Sequence, residues 1–457
     1  MNLRPRKGAG SPLSSAWITG FPKVLSLPNQ LSPAAQQTET WYRTSASAKC
    51  FAGNGDPMNM HSGKRRGLIL ATCCGAHALQ DGLMGLQSVL LPVLAQAFGL
   101  GYAQVGIIRA VSRSATTLLE IPSGMLAERT GERRLLVFGL VCGGLGYLTL
   151  TWAGGFVAVL LALFLTGIGA AFQHSLSSSI ISKTYEGSGR RSALGTYNSS
   201  GDVGKLTYSG LFTLLIGMGV AWQGIVVGVG VTALLGAVAV LVILRHLDVG
   251  EGPPRPADAR KAPANPGWGV RDRMGFTSLA VIVFLDIAVQ DGFLTFLAFL
   301  MIEKEVPTSL AVFAVVLTLA GGVFGKFGCG FLAERFGVIR SLVLVECLTA
   351  AGIVAVLLSP TLLAYFLLPA VGLVLQGSSS ITYGTVSDLV SGDRQSRGFA
   401  AIYSIAYGAA VVAPIVFGLI GDWYGLAPAM LTMACIALLP LPLCLLLQPA
   451  LARSAVT

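Results

Sequence analysis

The chain has 457 residues, 53% of them hydrophobic and 11% charged, with a mean hydropathy of +0.71. An ordinary soluble domain carries about 25% charged residues, so water is not the main solvent for this sequence. The formal charge of +10 does not mark a nucleic-acid binder, because the basic residues are dispersed over alternate loops between apolar runs.

Residues 1–66 are rich in Ser, Pro, Gly and Gln and have no acidic residue before Glu39. They contain no apolar core long enough for a secretory signal and are expected to form a disordered cytoplasmic extension. Met58 and Met60 stand just before Lys64, Arg65 and Arg66, which favours a misassigned start over a basic, acid-poor transit peptide. From Gly67 onward twelve apolar runs follow, at 68–97, 103–126, 135–153, 156–181, 193–216, 222–244, 276–301, 309–332, 341–358, 362–386, 398–420 and 427–447. A run of about 20 apolar residues crosses a hydrocarbon core as a helix. Lipid offers no partner to a free backbone amide, and barrel strands would alternate in segments of about 10 residues, a pattern absent here.

Between the sixth and seventh runs, Pro253, Pro254, Pro256, Pro263 and Pro266 lie among charges. This segment reads as a flexible linker, 246–275, between bundles at 67–245 and 276–448, with a tail at 449–457. Lys64 to Arg66, Arg129 to Arg134, Lys183 to Arg191, Arg245 to Arg273, Arg335 and Arg340, Arg394 and Arg397, and Arg453 all fall in one set of loops. The other set has only Lys304. The positive-inside rule then puts both termini in the cytoplasm and requires an even number of spans. The expected fold is an all-α membrane protein, twelve transmembrane helices in two pseudo-symmetric six-helix bundles.

An internal repeat supports the division. Gly124-Met-Leu-Ala-Glu128-Arg129-Thr-Gly131 after the second span returns as Gly330-Phe-Leu-Ala-Glu334-Arg335-Phe-Gly337 after the eighth, an offset of 206 that also carries Arg191 to Arg397 and Tyr197 to Tyr403. Gln80-Asp81-Gly82 in the first span recurs as Gln290-Asp291-Gly292 in the seventh, with an offset of 210. Such duplication is expected of transporters built from parallel repeats.

The loop Gly124-x-Leu-Ala-Glu128-Arg129-x-Gly131-x-Arg133-Arg134 resembles the loop motif of the major facilitator superfamily, and it occurs in both halves. The resemblance runs from Gly67 almost to the end of the chain, although the family usually has Asp where Glu128 and Glu334 stand. It implies that spans one, four, seven and ten line a central cavity, that two, five, eight and eleven form gates, and that three, six, nine and twelve face lipid. His77, Asp81, His174 and the Arg-Arg-Ser-Ala-Leu-Gly stretch at 190–195 resemble the fosmidomycin-resistance branch of drug exporters; Ser175 replaces the proline that branch has after its span-four histidine.

Charges within spans are costly and normally face a bundle interior or an aqueous path. His77 and Asp81 share one face of span one, and Arg109, Arg113, Thr116 and Glu120 form a stripe on span two. Asn198, Asp202, Lys205 and Ser209 form another on span five, while span seven carries Asp286, Gln290 and Asp291. Asp81 lies about 20 Å into its helix, near mid-depth, at 1.5 Å per residue. Asp81, Asp291 and His77 are the expected proton-coupling groups. Arg109, Arg113, Asn198, Asp202, Lys205, Gln290, Gln376, Tyr403 and Tyr407 are the candidate solute contacts, with Ser380 and Tyr383 as further polar groups in span ten. Gly124, Glu128, Arg129, Gly131, Arg133, Glu334 and Arg335 are candidate gate elements, as are Glu120 and Lys326, which the 206 offset aligns.

Each assignment has a structural alternative. Asp202 and Lys205, three apart, are able to neutralise one another, and Arg113 is able to pair with Asp81 or Asp202 from another helix. A satisfied interior histidine accounts for His174 as well as a functional one does, and Glu346 reads as structural or snorkelling. Seven of the eight cysteines lie in apolar spans as small hydrophobes, with no disulfide or zinc site expected.

The stretch Gly201-Asp-Val-Gly204-Lys205-Leu-Thr207 has a misplaced first glycine and Leu206 where a magnesium-binding hydroxyl belongs, so it is no phosphate loop. The expectation is a monomeric inner-membrane secondary transporter, not an enzyme, without cofactor or metal, taking a small solute and protons as partners and binding no nucleic acid. Export of a drug or metabolite is preferred. Uptake of an anionic metabolite, suggested by Arg109 and Arg113 facing one way, and a non-transporting sensor or assembly partner are the alternatives.

Overall fold

The computed structural model describes residues 57–185, 187–251, 269–391 and 395–454. The extension 1–56, the linker portion 252–268 and the side chains of Glu128, Arg190, Arg191 and Arg397 lie outside the described residues. Twelve helical rods follow one another: α1 (Pro57–Phe98), α2 (Tyr102–Thr130), α3 (Glu132–Trp152), α4 (Phe156–Thr184), α5 (Gly187–Gly217) and α6 (Trp222–His246), then α7 (Arg273–Glu303), α8 (Thr308–Phe336), α9 (Val338–Leu358), α10 (Thr361–Leu389), α11 (Gln395–Tyr424) and α12 (Leu426–Arg453). Ten are long and apolar enough to cross a membrane. The other two, α2 and α5, have 29 and 31 residues; they fall short in hydropathy because they carry the polar stripes. Those stripes need protein or water, not lipid, on one side.

Burial separates central from peripheral helices. The most apolar window is 78% buried in α1 and 72% in α7, against 33% in α6 and 39% in α12, so α6 and α12 turn most of their surface to lipid. Rods α4 and α12 are interrupted, at Ala171–Gln173 and at Leu439. The first interruption is a turn with Phe172 N–H donating to Gly169 O and Gln173 N–H to Ala170 O, at 3.3 and 3.2 Å. It starts a new helical segment at His174.

The two copies of the loop motif end their helices identically. Gly131 and Gly337 both sit at φ +86°, each amide donating to a carbonyl four residues back, Ala127 and Ala333. This conformation strains any residue with a Cβ, which explains the second glycine of the motif.

The apolar core has an asymmetric shape. At the end of the basic-poor loops a single cluster runs through both halves, joining Leu90, Leu94 and Val105 to Phe293, Val312 and Phe417. At the basic-loop end it divides in two. One part, around Ile69, Leu136, Ile180 and Leu244, belongs to the first half; the other, around Leu279, Val345, Leu389 and Ala450, belongs to the second.

Polar contacts and close helix approaches follow the same division. The amides of Tyr102 and Ala103 donate to the two carboxylate oxygens of Asp422 at 2.7 and 3.0 Å, Tyr102 Oη donates to Glu303 at 2.8 Å, and Thr308 donates to Gln96 at 2.8 Å. A Cβ on Gly106 would strike the Pro414 carbonyl, and one on Gly418 the Tyr102 carbonyl, so α2 and α11 touch backbone to backbone there. Gly124 and Gly195, toward the basic loops, have open space instead. The molecule is sealed at one end and parted at the other.

Candidate functional site

The charged side chains predicted from the sequence meet where the sealed end gives way to the opening. Close approach of α5 to α1 builds the first part. A Cβ on Gly201 would collide with His77 and Asp81, and one on Gly204 with the carbonyl of Ala78, so the missing side chains bring Asp202 and Lys205 to the face of α1. Lys205 Nζ lies 2.9 Å from Asp81 Oδ2 and 3.4 Å from Asp202 Oδ1. Lys326, from α8 of the other half, donates to both Asp202 oxygens at 2.7 Å. Asp81, Lys205, Asp202 and Lys326 therefore form an alternating chain of charge from the first half into the second.

Two imidazoles complete the surroundings of Asp81. His77 Nε2 is 3.5 Å from Asp81 Oδ2, and His174 Nε2, carried by the segment after the α4 turn, is 3.5 Å from Oδ1. His77 Nδ1 is 2.8 Å from the Tyr197 carbonyl. A carbonyl only accepts, so Nδ1 carries the hydrogen and Nε2 faces the carboxylate. The His77 ring also stacks on Tyr197, with centroids 4.1 Å apart.

A second cluster crosses between the halves in the opposite sense. Arg109 and Arg113 of α2 both donate from Nη2 to Oδ1 of Asp291 on α7, at 3.2 and 3.4 Å. The Arg109 side chain is 2% exposed and that of Arg113 24%. Arg109 Nε and Nη1, Arg113 Nε and Asp291 Oδ2 are buried without a hydrogen-bond partner. One carboxylate thus serves two guanidiniums, leaving a surplus positive charge and spare donors.

The remaining predicted residues divide by location. Gln376 donates to Thr318 O at 3.3 Å and Gln290 to Leu375 O at 2.8 Å, so their amides bond helix carbonyls within the second half. Tyr403 is 43% exposed, packs at a tilt against Tyr383 and stacks with Tyr407, an aromatic strip beside the opening. Asn198, Arg129, Glu334 and Arg335 are exposed and Glu120 is half-buried. Glu128 falls among the side chains not described.

Two of the gate candidates have partners that the sequence did not specify. Lys326, the repeat counterpart of Glu120, joins Asp202 at the centre because its helix faces α5 there. Arg133 is buried, paired with Glu251 from the start of the linker and within 3.4 Å of Leu244 O; it ties the linker to α3. The Arg133 guanidinium, followed by Arg134, holds the Glu251 carboxyl below its ordinary pKa.

A further pair has no functional role in the sequence reading, where Glu346 is structural or snorkelling; the burial of Glu346 excludes snorkelling. Asp286 accepts from Ser378 Oγ at 2.7 Å inside the second bundle, where Glu346 is also buried and within its electrostatic reach. Only their depth along the helix hinted at this. The lock formed by Tyr102, Glu303, Gln96, Thr308 and Asp422 was missed because its residues lie at span ends, where polar side chains are ordinary.

The profile described as Major Facilitator Superfamily matches residues 73–387. The chain belongs to that superfamily. It is a multi-pass membrane transporter of a small solute. It is 27% identical over 373 residues to the uncharacterized MFS-type transporter YfnC of Bacillus subtilis, covering 80% of this chain and 89% of the relative. It is also 27% identical over 308 residues to a probable 4-methylmuconolactone transporter of Cupriavidus pinatubonensis, covering 65% and 68% of the two chains. A stretch of 112 residues, 24% of this chain and 28% of the relative, is 31% identical to the fosmidomycin resistance protein of Escherichia coli. Among solved structures, a bacterial homolog of the human lysosomal transporter Spinster, in an inward-facing and unoccupied conformation, superposes with a TM-score of 0.70 at 17% identity, covering 85% of this chain and 98% of that one. This facilitator has the same fold.

Proposed function

We propose that this facilitator is a proton-coupled antiporter of the inner membrane that exports a drug or metabolite by alternating access, with Asp81 as its principal proton carrier and Asp291 as the second. The observation that carries the reading is the chain Asp81, Lys205, Asp202, Lys326. A proton on Asp81 removes the charge that holds Lys205. The freed ammonium turns to Asp202, 3.4 Å away, and competes there with Lys326. Proton binding on one helix thereby loosens an ion pair between the halves, which is the differential interaction that a conformational cycle requires.

Both termini are assigned to the cytoplasm from the distribution of basic loops. The parted end, which carries those loops, then faces the cytoplasm. Export is favoured by the resemblance to the fosmidomycin resistance protein. Proteoliposomes with an imposed pH gradient test the reading, using fosmidomycin and 4-methylmuconolactone as first solutes. Solute-dependent proton movement is expected and should vanish in Asp81→Asn; full retention in both Asp81→Asn and Asp291→Asn overturns the coupling assignment.

One observation favours uptake of an anionic metabolite instead. Arg109 and Arg113 share a single carboxylate and keep unsatisfied donors, an arrangement suited to a carboxylate or phosphate. Selective loss of anionic flux in Arg113→Gln supports that alternative, whereas equal loss of neutral and cationic flux removes it.

A further inference from the structure

We infer that His77, Asp81 and His174 form a binding site for a divalent first-row transition-metal ion, with Lys205 as the resident cation that the metal displaces. The three donor atoms come from α1 and from the start of the second α4 segment, and all lie within 4.8 Å of one another. Tetrahedral zinc, with bonds of about 2.0–2.1 Å, holds its ligands about 3.3 Å apart. The two Asp81-to-imidazole separations are 3.5 Å, one to each carboxylate oxygen, so closing the site around one ion requires a turn of the carboxylate or a shift of the His174 ring within the 4.8 Å span of the donors.

Three features point to a cation. His77 donates its Nδ1 hydrogen to the Tyr197 carbonyl at 2.8 Å, an outer contact that fixes a metal-binding imidazole and directs its other nitrogen inward. That nitrogen, Nε2, is buried, lacks a hydrogen-bond partner and faces the carboxylate. A proton or a metal ion is what can fill the gap between that nitrogen and the carboxylate. The Lys205 ammonium already stands 2.9 Å from the same carboxylate, so the position attracts positive charge. Two imidazoles and a carboxylate suit zinc, cobalt or nickel better than magnesium or calcium, which prefer oxygen donors.

The other charges around the site set its selectivity and its consequence. Asp202 on α5 receives Lys205 when the metal enters, whereas Arg113 on α2 and Lys326 on α8 repel a second positive charge. Metal binding thus acts on the same chain of charge as a proton but does not depend on transport. It shifts Lys205 to Asp202 and weakens the Lys326 bridge between the halves.

The test is titration of the full-length, untagged protein in detergent with Co2+ alone, read by its visible d–d absorption, and with Zn2+ alone by competition. Saturable binding with one ion per chain is expected. His174→Ala should weaken it by on the order of tenfold or more. Lys205→Gln should strengthen it by about tenfold, since a unit positive charge is removed from contact range. The double variant His61→Ala, His246→Ala should leave it unchanged. His77→Ala removes a buried ring that stacks on Tyr197, so His174→Ala, at a partly exposed position, keeps the test sound if the former fails to fold. The inference is overturned if neither the wild type nor Lys205→Gln binds Co2+ below millimolar concentration, or if His174→Ala binds as tightly as wild type. If that happens while Asp81→Asn still abolishes proton movement, the metal site falls and the transport reading stands.

Discussion

The two halves share a helix plan and a repeated loop, yet they handle buried charge differently. In the first half, Asp81 and Asp202 each touch a lysine. In the second, the basic partners of Asp291 lie across the interface, and among the described residues Asp286 and Glu346 form no ion pair with a lysine or arginine. The halves also exchange charge in both directions: arginines of the first hold a carboxylate of the second, and a lysine of the second holds a carboxylate of the first. Neither half is electrically complete alone. Sliding one past the other must break pairs of both senses, unless a proton or a charged solute replaces the lost partner.

The most severe disturbance of this exchange is Asp291→Asn, which leaves Arg109 and Arg113 facing each other without a counter-charge. Removing one partner from a buried pair costs about 3–5 kcal/mol, so unfolding in detergent should begin at clearly lower temperature; an unchanged transition would mean that water or lipid already screens the arginines. A double-mutant cycle on Asp202→Asn and Lys326→Gln should give a smaller coupling of about 1–3 kcal/mol, as expected for a hydrogen bond between charged groups. No coupling would show that the bridge between the halves is incidental.

Glu346→Gln should act in the opposite direction. A buried carboxyl without a base is no source of stability, and a neutral group of the same shape leaves the transition unchanged or raised by about 1 kcal/mol. A large loss would reveal a cationic partner and bring the two halves closer in design.

The smallest effect concerns Asp272, the cap of α7. The Gly275 amide, then Arg453, holds its carboxyl below the ordinary value. A depressed carboxyl contributes stability that is complete above its unfolded pKa and lost as pH falls through its folded one. Asp272→Asn should therefore be slightly less stable than wild type at pH 7, with the difference unchanged down to pH 5 and closing only under more acidic conditions. A gap that closes between pH 7 and 5 would assign the contribution elsewhere.

Much of the architecture was legible because membrane helices obey simple constraints of length, hydropathy and loop charge. Every predicted apolar run lies on one of the twelve rods, and the repeated Gly131 and Gly337 adopt the same backbone conformation. Within the site, helical spacing placed Asp81, Lys205, Arg109 and Arg113 on inward faces, but period alone cannot choose partners between helices. Arg113 met Asp291, and Lys326 met Asp202. The approach of α5 to α1 depends on Gly201 and Gly204, which a sequence cannot distinguish from ordinary packing glycines. The turn at Ala171–Gln173, which delivers His174 to Asp81, has no proline to announce it.

Asp422 caps a helix that belongs to the other half, taking two backbone amides at the start of α2. A helix cap contributes about 0.5–2 kcal/mol, which corresponds to roughly a two- to thirty-fold bias between two conformers. A latch of that size makes the sealed end the preferred one without making it permanent. A solute that favours an alternative arrangement by a few kilocalories would reverse such a bias, so the contact that stabilises this shape is weak enough for a ligand to undo.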